Sequence, residues 1–108
     1  MQSGKVFRND IFTGVISRNN SGVYSFVYDE SYLQKEGAKA ISLNLSLQSE
    51  PFVAPYLFSF FANMLAEGEI KEMQCKSLRI DNEDDFSRLL KTTHENTIGS
   101  ITIEEVNG

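Results

Sequence analysis

At 108 residues the chain is one domain, residues 1–108, able to bury roughly 65% of its unfolded surface in a single core. Its 41% hydrophobic content, with eight Phe and four Tyr, excludes a disordered composition, and no run nears the roughly 18 apolar residues of a membrane span. A net charge of −5 gives a nucleic-acid backbone little to hold, and one cysteine, Cys75, excludes an internal disulfide framework and fits a reducing cytoplasm.

The opening Met1-Gln2-Ser3-Gly4-Lys5 lacks the apolar core of a signal peptide. Residues 5–8 and 11–18 read as a hairpin turning at Asn9-Asp10, residue types that tolerate positive φ. Gly14 within the second strand marks a bulge or a close backbone approach. The Asn19-Asn20-Ser21-Gly22 cluster is a second turn, and residues 23–28 form a third strand with Tyr24, Phe26 and Tyr28 on one face. A short helical turn over 29–34 is capped by Asp29. Residues 40–47 alternate, Ile41, Leu43, Leu45 and Leu47 against Ser42, Asn44 and Ser46, and predict a further strand.

Residues 55–68 predict the central helix, with Pro55 in its first turn. Phe58, Phe61, Ala62 and Leu65 make one apolar stripe, and Leu57, Phe60, Phe61 and Met64 an adjacent one. A helix apolar nearly all round is either central to the core or also meets a partner. After Gly68 the pattern resumes over 69–78 as a surface helix with Ile70, Met73, Ser77 and Leu78 inward. Glu67–Lys71 and Glu72–Lys76 are spaced as i,i+4 pairs on it. A last helix starts at Asn82 as cap, with Asp84 and Asp85 in its positive end and Phe86, Leu89 and Leu90 as its core stripe. It ends near Thr92-Thr93-His94-Glu95-Asn96, and residues 100–106 return as a strand. The expected fold is α+β. A small antiparallel sheet, made of an N-terminal meander, a later strand and a C-terminal strand, packs with about three helices.

Chemistry is sparse. Cys75 and His94 have no ligand spacing for zinc, and Asp81-Asn82-Glu83-Asp84-Asp85 lacks the glycine and terminal glutamate of a calcium loop. No phosphate-cradling or kinase motif occurs, so no catalytic activity, metal or cofactor is expected. Helix capping and a solvated face account for the acidic residues between Glu67 and Asp85.

The string Phe58-Ser59-Phe60-Phe61-Ala62-Asn63-Met64-Leu65-Ala66-Glu67-Gly68 resembles the phenylalanine-rich, Asn-Leu-Leu-Pro-Glu-Gly signature of the HipA N-terminal subdomain family. Phe7-Arg8-Asn9 before Gly14, Tyr24-Ser25-Phe26-Val27-Tyr28-Asp29, and Ser42-Leu43-Asn44-Leu45 with Pro51 resemble its earlier segments. Asp85-Phe86-Ser87-Arg88-Leu89-Leu90 and Ile98-Gly99-Ser100-Ile101 resemble its ending. Ala66 stands where that family usually has Pro, which loosens the turn before Glu67-Gly68, and Ser100 stands where Ala is usual.

The resemblance covers residues 5–106. It implies a non-catalytic, cytoplasmic binding module of a bacterial toxin–antitoxin system, whose partner is a HipA-like serine/threonine kinase. As a stand-alone chain it would be a HipS-like antitoxin that binds and neutralises a shortened, HipT-like kinase, with a HipB-like DNA-binding protein completing the set. The alternative is a structural or activating subdomain of such a kinase. The expected docking edge is Asn63 with Ala66, Glu67, Gly68 and Glu69; the competing reading makes Glu67-Gly68 only a helix junction.

Overall fold

Two left-handed residues start the architecture. In the computed structural model, which describes residues 1–93 and 100–106, Asn9 and Asp10 take φ of 51° and 66°, the two positive values a tight hairpin turn requires. They join β1 (Gln2–Arg8) to β2 (Ile11–Arg18), with Arg8 opposite Ile11 and Gln2 opposite Arg18. β3 (Tyr24–Tyr28) follows the Asn19 turn, in which the Asn19 carboxamide accepts from the amides of Ser21 and Val23. β4 (Phe52–Ala54) adds to β3, and β5 (Ile101–Val106) returns beside β1. The sheet runs β4-β3-β2-β1-β5, antiparallel throughout, and the expected α+β class holds.

Register shifts once. Val6 lies opposite Gly14 but Phe7 lies opposite Phe12, so Thr13 is the extra residue of a bulge. Thr13 is fully buried; its hydroxyl donates to the Ile11 carbonyl and its own carbonyl accepts from the Asp29 amide at 2.8 Å. At Gly14 a Cβ would sit 2.4 Å from the Val27 carbonyl oxygen. Both reasons for a glycine here, bulge and close approach, are therefore present.

The helices cover one sheet face. Val6, Ile16, Phe26, Tyr28, Ile101 and Ile103 from the strands join one cluster with residues of α1 (Glu30–Leu33), α2 (Ser59–Ala62) and α4 (Asp85–Thr92). Asp29 caps α1 as expected, accepting from the Tyr32 amide at 3.2 Å. Phe86, Leu89 and Leu90 form the buried stripe of α4, also as expected. Its cap is Asp84 rather than Asn82, because a turn closed by Asp84 N to Asp81 O intervenes. The expected helix end at His94, Glu95 and Asn96, and Ile98-Gly99, lie outside the described residues.

Asp84 also ties the helix to the sheet. It accepts from the Ser87 amide at 3.1 Å and the Ser87 hydroxyl at 2.8 Å, and sits 3.4 Å from Arg18. The Arg18 guanidinium in turn lies over the rings of Tyr24 and Phe86. Burial alone would raise the Asp84 pKa; the Ser87 hydrogen bonds and the Arg18 charge outweigh it and hold the carboxyl below its ordinary 3.8. A carboxylate depressed on folding adds stability above its unfolded pKa, and loses it as pH falls through the folded value. Asp84→Asn keeps a capping oxygen and removes the charge. In denaturant titrations it is expected to flatten the loss of stability below about pH 4 relative to the parent.

Three further expectations are corrected. Residues 40–47 form no strand: Ser42 and Leu45 close an isolated bridge, Ile41 and Leu45 are buried, and Leu43 is fully exposed. The Tyr28 hydroxyl explains the reversal, since it donates to the Leu45 carbonyl and accepts from the Ile41 amide, pulling both ends of the segment inward. The later strand is β4 instead. Tyr28→Phe leaves two buried backbone groups without that partner and is expected to cost about 1–3 kcal/mol in equilibrium unfolding.

The central helix shrinks to one turn, α2, with Phe58 as its cap position and residues 55 and 56 in a bend. The chain must turn there from the edge strand β4 into the core, so the aromatic side chains, not helix length, fix the segment. Phe61 is fully buried and Phe58, Phe60, Leu57 and Leu65 pack half-buried on the core, so both apolar stripes are spent inside the molecule.

The third correction concerns α3 (Gly68–Leu78). Ile70, Met73, Ser77 and Leu78 are exposed, and Cys75 is its buried residue. Neither Glu67–Lys71 nor Glu72–Lys76 closes to ion-pair distance. Glu67 is the extended residue before the helix, which takes its side chain out of i,i+4 register, while Glu72 and Lys76 are solvated singly.

Candidate docking turn

The turn between α2 and α3 follows from where each helix has to stop. Asn63 is the C-cap of α2, its amide donating to the Ser59 carbonyl at 2.9 Å. Met64 tucks into the core at 8% exposure and Leu65 is half-buried, so these two apolar residues anchor the turn between exposed neighbours. Glu67 then runs extended, with φ −126° and ψ 171°, and Gly68 takes φ of 62° as the first residue of α3. A Cβ at Gly68 would meet nothing within 4 Å, so only the left-handed backbone calls for glycine there.

The five residues expected at the docking edge lie together on this turn. Asn63, Glu67, Gly68 and Glu69 are exposed, and Ala66 is half-buried. The Glu67 side chain makes no cap bond, and neither Glu67 nor Glu69 has an ion-pair partner among the described residues. Two carboxylates and a carboxamide are thus presented to solvent on a ridge with an apolar underside, an arrangement suited to accepting hydrogen bonds and cationic side chains.

One residue of the site was not foreseen. Arg88, on α4, is buried at 4% exposure, and its Nη2 donates to the Ala66 carbonyl at 2.6 Å while Nη1 reaches Asp85 at 3.0 Å. Arg88 follows Phe86 by two and precedes Leu89 by one in the α4 stripe, and an arginine inside an apolar stripe is the signal that could have pointed to it.

The described surface also carries open clefts. The cleft at the opposite end of α2, lined by Ser42, Asn44, Leu45, Tyr56, Phe58, Ser59 and Phe60, encloses about 170 Å³. That is below the roughly 300–1,000 Å³ of typical small-molecule pockets. Two shallower grooves, about 430 Å³ beside Leu78, Leu90, Lys91, Glu104 and Glu105 and about 320 Å³ beside Met1, Gln2, Arg18, Asn19, Asn20 and Gly22, reach the lower end of that range but lie open to solvent. Among the described residues no three His, Cys, Asp or Glu side chains gather as metal ligands, and no helix is long and apolar enough to cross a membrane. Cys75 is buried on α3, where it packs as a small hydrophobe.

The chain as a whole has recognisable relatives. The sequence model of the HipA N-terminal domain matches residues 4–104. An uncharacterized protein of Haemophilus influenzae is 33% identical over 105 residues, spanning 97% of this chain and 93% of that protein. Among solved structures, the N-terminal domain of a HipA toxin superposes with a TM-score of 0.72 at 30% identity. That match covers 99% of this chain and 94% of the other.

Proposed function

Because this chain belongs to the HipA N-terminal domain family, we propose that it is a non-catalytic binding module that docks on and neutralises a HipA-like serine/threonine kinase. The observation that carries this reading is the match to the N-terminal domain of a HipA toxin along 99% of the chain. A domain of that kind has a kinase body as its natural binding partner. In this reading the chain is HipS-like, the kinase is HipT-like, and a HipB-like protein brings the complex to DNA; the acidic chain itself makes no nucleic-acid contact. The exposed turn of Asn63, Ala66, Glu67, Gly68 and Glu69 is the docking edge, its carboxylates meeting basic side chains of the kinase.

Co-expression with the cognate HipA-like kinase tests the proposal. The expected result is copurification, relief of growth arrest and lowered phosphorylation; free kinase and unrelieved arrest reject it. The family match equally favours a second reading, in which the chain completes the kinase and raises its phosphorylation, so the sign of the change separates the two. The doubly substituted Glu67→Lys, Glu69→Lys protein is expected to bind the kinase about tenfold more weakly with an unchanged melting temperature, because both side chains are exposed. Affinity equal to that of the parent would remove the turn from the interface.

A further inference from the structure

A buried arginine with an unfilled donor is an expensive way to fill space. The Arg88 side chain is 5% exposed, and its charge is met by one carboxylate, that of Asp85, which is itself half-exposed. Among the described residues its Nε has no hydrogen-bond partner, an uncompensated polar atom inside the fold. A methionine or leucine would occupy the same part of the α4 stripe without a charge to desolvate.

What the guanidinium does accomplish is specific. Its 2.6 Å bond to the Ala66 carbonyl is, among the described residues, the hydrogen bond that joins the stretch from Leu65 to Gly68 to another element. The other bonds there are local: Leu65 N to Ala62 O at 3.2 Å, and a long one from Lys71 N to Glu67 O at 3.5 Å. Glu67 contributes no cap, and nothing packs within 4 Å of where a Cβ on Gly68 would lie. Ala66 supplies no ring to stiffen the chain. Beyond the packing of Met64 and Leu65 at its start, the stretch from Ala66 to Gly68 is tied to the fold through α4.

We propose that Arg88 is the positioning residue of the docking turn: through the Ala66 carbonyl it holds Glu67 and Glu69 in the arrangement that a partner meets. This rests on the docking reading above for its purpose, but not for its geometry. The cost of burying the cation is borne by a module whose stability would be served better by an apolar residue. Such a conflict is expected at a functional position and not in a plain core.

The test is Arg88→Met, which keeps the stem and removes the donors, with Arg88→Lys as the conservative variant. Backbone amide order parameters from NMR relaxation are read on the free protein, alongside melting temperature and affinity for the purified cognate HipA-like kinase. For Arg88→Met the melting temperature is expected to stay level or rise, while the amides of Ala66 to Glu69 fall from about 0.85 to below about 0.6. Affinity drops about tenfold, and Arg88→Lys recovers part of both losses. Should Arg88→Met not fold, Arg88→Lys alone is expected to show intermediate order at the same amides. Unchanged order parameters in the variants overturn the proposal, whatever happens to affinity. If the parent chain binds no kinase yet the variant turn loosens, the docking reading fails and Arg88 stands as the residue that sets the turn.

Discussion

Replacing Phe61 with alanine is expected to remove about 3–5 kcal/mol of stability, the range for deleting a fully buried phenylalanine. The ring has no exposure and stands in edge or tilted contact with three others, Phe26 at 5.6 Å, Phe60 at 5.3 Å and Phe58 at 6.4 Å between centroids. Phe26 carries the contact onward to Tyr28, and Tyr28 stacks on Tyr32. A single-turn helix such as α2 cannot sustain itself by backbone bonds alone, so Phe61 is what fastens it to the sheet. Since whole domains are worth only about 5–15 kcal/mol, the variant is expected to lose a large share of its stability. Equilibrium denaturation at low temperature measures the loss, and a change below about 1.5 kcal/mol would mean that the neighbouring rings close over the gap.

The second large effect is expected at Gly14, where the obstacle is backbone. A Cβ would lie 2.4 Å from the Val27 carbonyl oxygen and 3.0 Å from the Phe26 ring. Neither can yield easily, because Val27 is paired with Val15 in the ladder and Phe26 is fully buried. Gly14→Ala must therefore push β2 from β3 and is expected to cost about 3 kcal/mol, the upper end of ordinary overpacking. The measurement is the denaturation midpoint with an unchanged slope. A shift under 1 kcal/mol would show that the Thr13 bulge absorbs the strain.

The hairpin, its turn and the third strand were readable in the chain because local chemistry decides them: Asn9-Asp10 needs positive φ, and alternation places Tyr24, Phe26 and Tyr28 inward. The α4 stripe was legible for the same reason, with three apolar residues at helical spacing. Where long-range bonds decide, the reading failed. Residues 40–47 alternate as a strand should, yet a phenol from β3 folds them into a turn, and nothing within the segment encodes that partner. The phenylalanine run suggested a long helix because apolar spacing cannot distinguish a helix from a short turn plastered on by aromatic packing. At the candidate docking turn, Gly68 and the exposed acids were visible in advance, while Arg88 was not, because its target, the Ala66 carbonyl, lies 22 residues away.

The short edge strand has a consequence for how another protein could be recognised. β4 is three residues long and is bracketed by Pro51 and Pro55, neither of which has an amide hydrogen to offer an incoming chain. At the other margin, the Ile103 amide of β5 is already taken by the Thr93 carbonyl. Extending the ladder with a foreign strand, a route by which sheets capture peptides and coalesce into fibrils, is thus hindered at β4 and interrupted at Ile103 of β5. An edge blunted in this way also resists coalescence with half-folded neighbours.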